Sequence, residues 1–403
     1  MPAARFNPRM TRALLALAVV LVLPASTEAA PPWSAPRDVS GPHTFVDGLW
    51  AGAGLIGWRS EDGEAGAPAD RVGDPVFFRS GRGAVAIVHP VGSNRAPRTD
   101  LRVAFRSGGR FGASKRIVRH PRIARPTLAG DGRGDLALAW FEDLGTSNDR
   151  VYVALRRAGH AFGRPIRLAT GRVRSVSAAI GTRGDVLVAW DARGRIRTRY
   201  MRHGHRFGPT ETLRSDPTFF AALHTAVASS GRAYVAWAAQ FLSEGGSRGA
   251  GFYEVAVRGA GRFGRARRLE RIPADRGVGG LDLVLTGHGR ALVAWASDRV
   301  RAVESDASGR FGAPRDLSTA PLDSDVIPAD QVDAAAGPAG ARLVTWSAAG
   351  PLVQAAFAPG GGTFGAPEDV GPGEVSRAAF PGPVVAWQRR EADGVHVQEA
   401  TRG

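Results

Sequence analysis

Short apolar runs that follow glycine-rich turns recur along the whole chain. In DLALAW (135–140) large side chains alternate with alanine, which is the period-two pattern of a β-strand. Related runs end in tryptophan, or once in His89, at GRGAVAIVH (81–89), GRGDLALAW (132–140), TRGDVLVAW (182–190), GRAYVAW (231–237), GRALVAW (289–295), GARLVTW (340–346) and PGPVVAW (381–387). The pattern predicts one strand type that is repeated seven times.

A second phrase, Phe-Gly, comes after each of these runs except the last. Its anchors are Phe111, Phe162, Phe207, Phe263, Phe311 and Phe364. A further apolar run lies between the two phrases, such as VYVAL (151–155), and another precedes each tryptophan run, such as LDLVL (281–285). Each unit therefore has four predicted strands: A, B (ending in Trp), C and D (the Phe-Gly strand). Its length of about 50 residues is typical of propeller blades and solenoid coils.

The two ends of the chain favour a propeller. The last unit has a B strand ending at Trp387 and a C strand at VHVQEA (395–400), but no D strand. WSAPRDV (33–39) resembles FGAPRDL (311–317), yet no A, B or C strand precedes it. A ring closes when the N-terminal strand completes the last blade, which hides the sheet edges.

We therefore predict an all-β fold with a single β-propeller of seven four-stranded blades, and six or eight blades are the alternatives. Residues 43–60 are predicted to form an inserted hairpin, with an additional degenerate blade ending at Trp58 as the other interpretation. Within the B strand, Leu136, Leu138 and Trp140 face one side and the alanines face the other. We expect each strand-end tryptophan to belong to the core and to pack against the next blade.

The N-terminus has the features of a secretory signal. Arg5, Arg9 and Arg12 precede an apolar stretch at 13–23, and small residues follow it. We predict a cleaved signal peptide at 1–29, a propeller at 30–403, and a secreted monomer with no later transmembrane segment. The chain has no cysteine, so disulfides and thiolate chemistry are excluded.

The formal net charge is +16, and all but one of the 53 basic residues are arginine. Because the arginines are scattered rather than clustered with aromatic residues, we predict no nucleic-acid partner. A cationic exported protein is attracted to anionic polysaccharide or to the cell envelope.

The strand order places the B–C and D–A connections on one face, where the loops are longer and more varied, and function in such rings usually lies on variable loops. Candidate binding residues near this face fall into three groups. A cationic group surrounds His89 and His120, aromatic anchors lie in RSDPTFFAALH (214–224), and acids collect in the loops. The residues are His89, Arg119, His120, Arg122, Glu142, Asp143, Asp191, Phe219, Phe220, Asp298 and Asp325.

No cofactor and no metal site are predicted. GAGLIG (52–57) has the spacing of a dinucleotide motif but lacks the helix that must follow it. His203 and His205 lie in a C–D turn without an evident third ligand. AGDGRGDLALA (129–139) resembles the end of the calcium loop in FG-GAP repeats at Asp131 and Asp135, but the upstream acids are absent.

The pairing of a strand-end Trp with a following Phe-Gly strand resembles sialidase-type (BNR-like) propellers of exported bacterial proteins. The resemblance covers nearly all of residues 30–403 and implies the fold. No S-x-D-x-G-x-T-W box of that family occurs. We therefore predict a binding or scaffold module for a glycan, a cell-wall polymer or a protein, recognised through the long-loop face. The alternative is a carboxylate-based glycoside hydrolase or lyase.

Overall fold

The computed structural model describes residues 33–40, 46–52, 55–60, 63–64, 76–79, 85–91, 99–107, 110–111, 113–120, 122–145, 147–214, 219–242, 248–259, 261–319, 321–322, 332–348, 352–380 and 382–402. The predicted signal peptide at 1–29 and the candidate Asp325 lie outside these residues.

The first half of the described chain contains the following strands. β1 is Arg37–Asp38. One small sheet contains β2 (Val46–Gly52), β3 (Leu55–Ser60) and β4 (Gly63–Glu64). Sheet I contains β5 (Val76–Arg79), β6 (Val85–Val91), β7 (Thr99–Ser107), β8 (Arg110–Phe111) and β9 (Lys115–His120). Sheet II contains β10 (Ile123–Gly130), β11 (Leu136–Glu142), β12 (Arg150–Arg156) and β13 (Ile166–Thr170). Sheet III contains β14 (Val173–Ile180), β15 (Val186–Ala192), β16 (Ile196–Met201) and β17 (Glu211–Arg214).

The second half repeats the same arrangement. Sheet IV contains β18 (Phe219–Val227), β19 (Ala233–Leu242), β20 (Arg248–Arg258) and β21 (Arg267–Ile272). Sheet V contains β22 (Leu281–Leu285), β23 (Ala291–Ala296), β24 (Val300–Glu304) and β25 (Arg315–Asp316). Sheet VI contains β26 (Val332–Ala336), β27 (Arg342–Ala348), β28 (Leu352–Ala358) and β29 (Glu368–Pro372). Sheet VII contains β30 (Glu374–Ala379), β31 (Val384–Glu391), β32 (Gly394–Thr401) and β1.

The predicted four-stranded antiparallel unit is confirmed in seven sheets. Within sheets II to VI, neighbouring strands follow chain order. In sheet I, β7 pairs with β9 and also with the additional two-residue strand β8. In the described part of the chain the helices are two short 3-10 turns, Gly287–Gly289 and Pro338–Gly340, and neither could span a bilayer.

Sheet VII joins the two ends of the described chain, as the unmatched strands predict. Arg37 lies opposite Glu399 and Asp38 opposite Gln398, in antiparallel register. The backbone N–H of Val39 donates to the carbonyl of Val397 at 2.9 Å. The N-terminal segment therefore supplies the D strand of the last sheet.

The Phe-Gly phrase itself is not the D strand, which corrects our prediction. In sheets II to VI the phenylalanine forms at most an isolated bridge, as Phe263 does with Arg258, and the paired D strand begins a few residues later. In sheet I, Phe111 belongs to the two-residue β8, and β9 begins four residues after it. The glycine that follows donates its N–H to the C-strand carbonyl at 2.8 to 3.1 Å, at Gly163, Gly208, Gly264, Gly312 and Gly365. The phrase thus makes the C–D turn.

The predicted tryptophan core is confirmed, with one correction. All six strand-end tryptophans, from Trp140 to Trp387, are fully buried. However, each packs against the preceding sheet rather than the next one: Trp237 of sheet IV, for example, contacts a cluster containing Leu187 and Ile196 of sheet III. The large-against-small pattern is confirmed, since Leu136, Leu138 and Trp140 pack towards sheet I, whereas Ala137 and Ala139 pack towards sheet III.

The A strands of consecutive sheets contact one another from β10 to β30. The segment that we predicted as a hairpin forms the β2–β3 pair, and β4 extends it to three strands. β2 contacts β30 and β31 of sheet VII and also β5 of sheet I. It therefore lies between the last and the first four-stranded sheets.

Candidate functional site

The structure brings two of the sequence candidates together at the boundary of sheets I and II. Nδ1 of His120, the last residue of β9, lies 2.5 Å from Oε1 of the buried Glu142 at the end of β11. Arg150 Nη1 lies 3.5 Å from the other carboxylate oxygen. The imidazole also meets Tyr152 edge-on, with 4.8 Å between ring centroids. The Glu142 carboxylate therefore already has an imidazole and a guanidinium as neighbours.

The neighbouring arginine is held in the same way. Nε of Arg119 donates to Oδ1 of Asp100 at 2.5 Å, and this hydrogen bond lowers the pKa of Asp100 below its ordinary value. Arg122 is exposed, and its carbonyl accepts the N–H of Asp143 at 2.9 Å. Two members of the cationic group predicted from the sequence, Arg119 and His120, thus each lie beside a carboxylate.

The remaining candidates are distributed over other sheets. Asp298 forms ion pairs with Arg301 at 2.8 Å and with Arg276 at 3.1 Å. Asp191 is fully buried, and this burial raises its pKa to about 6. His89 lies in β6, while Phe219 and Phe220 begin β18. Asp191 thus belongs to sheet III, whereas Asp298 lies in the loop between β23 and β24 of sheet V.

A cavity of about 670 Å³ lies between the outer strands of sheets III and IV. It is lined by Glu211, Thr212, Leu213 and Arg214 of β17, by Glu254 of β20, and by Phe263, Gly264, Arg265, Ala266 and Arg268 around the start of β21. The Phe-Gly turn of sheet IV thus forms one wall and the D strand of sheet III forms the other.

Glu254 fixes the floor of this cavity. Its side chain is only 4% exposed, and Nη1 of Arg214 lies 2.7 and 2.8 Å from its two oxygens. Arg268 donates to Oε1 at 3.0 and 3.2 Å. Arg214 also lies over the ring of Phe252, 4.3 Å from its centroid. These contacts are charge-assisted and geometrically specific, so they set the positions of both guanidinium groups.

One cation of the cavity has no acidic partner. Arg265 is exposed and forms no ion pair or hydrogen bond with the residues that the structure describes. Glu211 accepts the backbone N–H of Phe263 at 3.0 Å and lies 3.9 Å from Arg258. With three arginines against two glutamates, the lining carries a net positive charge.

Sequence reasoning missed this cavity, although a signal existed. FGRARRLE (263–270) has three arginines, whereas the sister phrases FGAPRDL and FGAPEDV have one or none. Glu254 lies directly opposite Trp237 in the C strand, where sheets III and V have an arginine opposite the Trp. The acid at this position and the additional arginines fall in the same unit.

A second polar arrangement lies on the A strands of sheets IV to VI, at equivalent positions opposite the residue that precedes each Trp. Asp282 Oδ1 of sheet V lies 3.3 Å from Nδ1 of His224 in sheet IV, and its Oδ2 accepts the N–H of Ala334 in sheet VI at 2.9 Å. Asp333 Oδ2 likewise accepts the N–H of Ala378 in sheet VII at 2.7 Å. Each carboxylate therefore links one sheet to the next.

The pKa values of the two aspartates are shifted in opposite directions. Burial raises the pKa of Asp333 to about 7, although the charge of Arg377 opposes this shift. Burial also acts to raise the pKa of Asp282, but the hydrogen bond and charge of His224 outweigh it, and the pKa falls below its ordinary value. Two neighbouring carboxyl groups with pKa values moved in opposite directions have the properties of an acid and an ionised partner.

The segment that resembles a calcium loop forms a turn in the structure. Oδ1 of Asp131 accepts the N–H groups of Arg133 and Asp135, both at 2.9 Å. Oδ1 of Asp135 accepts the N–H of Ala158 at 2.7 Å. These carboxylates cap backbone donors of the A–B turn and of the adjacent C–D turn.

No protein-family model matches the chain, and no curated protein matches it in sequence. Solved structures do match it. The BP39L lectin from Burkholderia pseudomallei is 14% identical, with 81% of this chain and 95% of that chain covered, at a TM-score of 0.56. An ulvan lyase of polysaccharide lyase family PL25 is 12% identical over 84% and 96% of the two chains, at a TM-score of 0.49. The Hadza microbial sialidase Hz136 is 11% identical over 77% and 74%, at a TM-score of 0.37. At these identities the likeness concerns the fold.

Proposed function

We propose that this chain is an exported β-propeller that binds acidic glycans in the cavity between sheets III and IV. The observation that carries the proposal is the arginine-lined cavity, in which Glu254 positions Arg214 and Arg268 while Arg265 is left to meet a ligand. A carboxylate or sulfate of a polysaccharide suits such a planar, bidentate donor.

The whole molecule supports the same ligand class. A net charge of +16 attracts anionic polymers over a longer range than any single contact. The fold is shared with a lectin, although fold by itself does not fix function. In this proposal residues 1–29 direct export, the ring is closed, and the β2–β4 sheet is an eighth, three-stranded blade between β30 and β5.

The test is affinity electrophoresis of the purified chain through gels containing polygalacturonate, alginate or heparin, with dextran and pullulan as neutral polymers. Retardation by the acidic polymers that weakens with added salt supports the proposal. Arg265→Gln is expected to weaken this binding about tenfold, because one charge-assisted hydrogen bond contributes about 1.5 kcal/mol.

Arg164 is the matched control, because it follows the Phe-Gly phrase of sheet II just as Arg265 follows that of sheet IV. Arg164→Gln should leave the retardation unchanged. Equal losses in both variants would show that overall charge rather than the cavity binds the polymer. Absence of retardation by every polymer would also overturn the proposal.

The alternative function is a glycoside hydrolase or lyase, and the observation that favours it is the pair Asp282 and Asp333 beside His224. A protonated carboxyl next to an ionised one fits general acid–base catalysis. Release of reducing sugar or of unsaturated products from the same polymers, lost in Asp333→Asn, would establish it. Retardation without release supports the binding module.

A further inference from the structure

Three potential metal ligands converge at the hairpin between β31 and β32. Glu391 ends β31, Asp393 lies in the turn, and His396 is near the start of β32. Each offers one ligand atom, and these atoms all lie within 4.8 Å of one another. Nε2 of His396 lies 3.0 Å from Oδ1 of Asp393. This hairpin is far in sequence from the residues that line the glycan cavity.

The imidazole of His396 is buried. His396 is only 7% exposed, and its Nδ1 has no hydrogen-bond partner among the described residues. Asp38 Oδ2 of the N-terminal strand is the acid that faces this nitrogen, at 3.9 Å. Gln398 donates to the other oxygen of Asp38 at 2.7 Å. This 3.9 Å contact is an ion-pair distance and not a hydrogen bond. Metal-binding histidines likewise have one ring nitrogen towards the ion and the other towards a carboxylate.

The local charge also favours a cation. Three carboxylates, from Asp38, Glu391 and Asp393, surround the ring in a protein whose net charge is +16. One cation is already present, because Nε of Arg389 lies 3.0 Å from Oε1 of Glu391. Arg389 is paired directly opposite His396 across the hairpin. A bound metal would compete with this arginine for one oxygen of Glu391.

From this geometry we propose that Glu391, Asp393 and His396 bind a divalent transition metal of the zinc type, with water completing the coordination. An imidazole with two carboxylates suits Zn²⁺, which accepts three protein ligands and an open position. Ca²⁺ and Mg²⁺ prefer six or more oxygens and would bind this set poorly. Because Asp38 belongs to β1, the metal would also strengthen the pairing of the N-terminal strand with β32.

The test is isothermal titration of ZnCl₂ into the full chain after treatment with a chelator. We expect one equivalent of Zn²⁺ to bind tightly per chain, and an excess of Ca²⁺ or Mg²⁺ should not displace it. His396→Gln should remove the tight equivalent. Asp38→Asn should weaken binding about 10- to 100-fold, as loss of the carboxylate that orients a ligand histidine does.

The variant Arg389→Gln distinguishes a metal-binding role of these three residues from a purely structural one. Removal of this competing charge should tighten Zn²⁺ binding by about threefold or more, a gain that damage to the fold does not produce. The matched control is the double variant His203→Ala with His205→Ala, in an exposed turn on sheet III, which should bind as the unchanged protein does.

The proposal is overturned if His396→Gln retains the tight equivalent, if the His203/His205 variant loses it, or if Arg389→Gln weakens it. Circular dichroism of His396→Gln guards against loss of binding through unfolding. If that variant is unfolded, the direction of change in Arg389→Gln decides the question. None of these outcomes depends on glycan binding.

Discussion

Glu254 of sheet IV and Arg214 of sheet III meet across the boundary between their sheets, with a single guanidinium nitrogen 2.7 and 2.8 Å from the two carboxylate oxygens. Arg268 of the same sheet as Glu254 approaches Oε1 at 3.0 Å. The carboxylate is buried, so its charge is compensated by these two arginines rather than by water.

Glu254→Gln should therefore destabilise the protein. The amide keeps the shape but removes the negative charge that faces Arg214, whose side chain is 16% exposed. We expect the free energy of unfolding to fall by about 3 kcal/mol, measured by urea denaturation. Asp316→Asn is the control, because Asp316 pairs with Arg301 while about half exposed, and it should cost less than about 1 kcal/mol. Equal losses would contradict this account.

Asp333 predicts a pH dependence of stability. Its folded pKa of about 7 lies above the ordinary value of 3.8, so between these values the native state holds a proton that the unfolded state has released. Its contribution to the free energy of unfolding therefore declines as pH rises through this window, with a slope of at most about 1.4 kcal/mol per pH unit. Above pH 7 the decline ends.

The measurement is urea denaturation of the unchanged protein and of Asp333→Asn at several pH values from 4 to 8. The difference in free energy of unfolding should shift in favour of the asparagine variant as pH rises. Asp306→Asn is the comparison, and we expect its stability difference to change with pH in the opposite direction. Hydrogen bonds from Ser308 and backbone donors lower the pKa of the exposed Asp306. That carboxylate stabilises the fold above pH 3.8 and loses its effect as pH falls. A pH-independent difference for Asp333→Asn would refute the assignment.

Arg342 joins sheets VI and V, and its loss should be costly. It is 5% exposed, its Nε lies 2.8 Å from Glu304 of sheet V, and it also donates to the carbonyls of Gly340 and Gly362. Arg342→Ala should lower the free energy of unfolding by about 3 kcal/mol, because it removes the counter-charge of Glu304 and the donor of two carbonyls. Arg262→Ala, at an exposed turn, should change it by less than about 0.5 kcal/mol.

A disulfide can test the pairing of the chain ends. Arg37 and Glu399 are direct partners in register, and the chain has no cysteine to interfere. In the double variant Arg37→Cys with Glu399→Cys, the expected Cα separation of about 5.5 Å suits a disulfide. Oxidation should stabilise the protein by about 2–4 kcal/mol, measured as the difference in urea denaturation with and without reductant.

The register control is Arg37→Cys with Gln398→Cys, which places the two thiols one residue out of register on opposite faces of the sheet. This variant should form little intramolecular disulfide and gain no stability. If both pairs crosslink equally well, the N-terminal segment does not hold a fixed register on β32.

The repeat was predictable because its signals are local. LDLVL (281–285) coincides with β22, and DLALAW (135–140) covers most of the buried B strand β11, which continues to Glu142. The likeness of WSAPRDV to FGAPRDL predicted that the N-terminal segment completes the last unit, and in the structure this segment pairs with β32. In each case a period of two and a repeated turn are enough, since both are properties of neighbouring residues.

The candidate site was less predictable. His120 and Glu142 were chosen from separate loops and do meet, yet their contact places a buried carboxylate beside the group that was expected to bind an anion. Glu254 and Asp282 were overlooked because each sits inside an apolar run that reads as core. Their partners, Arg214 and His224, lie 40 and 58 residues away.

The amino-acid order alone therefore specified the strands, the four-stranded unit, the buried tryptophans and the joining of the two ends. The packing of the sheets decided which charged side chains meet. It also decided where Arg265 lies without an acidic partner among the described residues and where Glu391, Asp393 and His396 converge. The reason is that a strand's alternation depends on adjacent residues, whereas contacts such as Arg214 with Glu254 or Asp38 with His396 depend on the register and twist of separate sheets and chain ends.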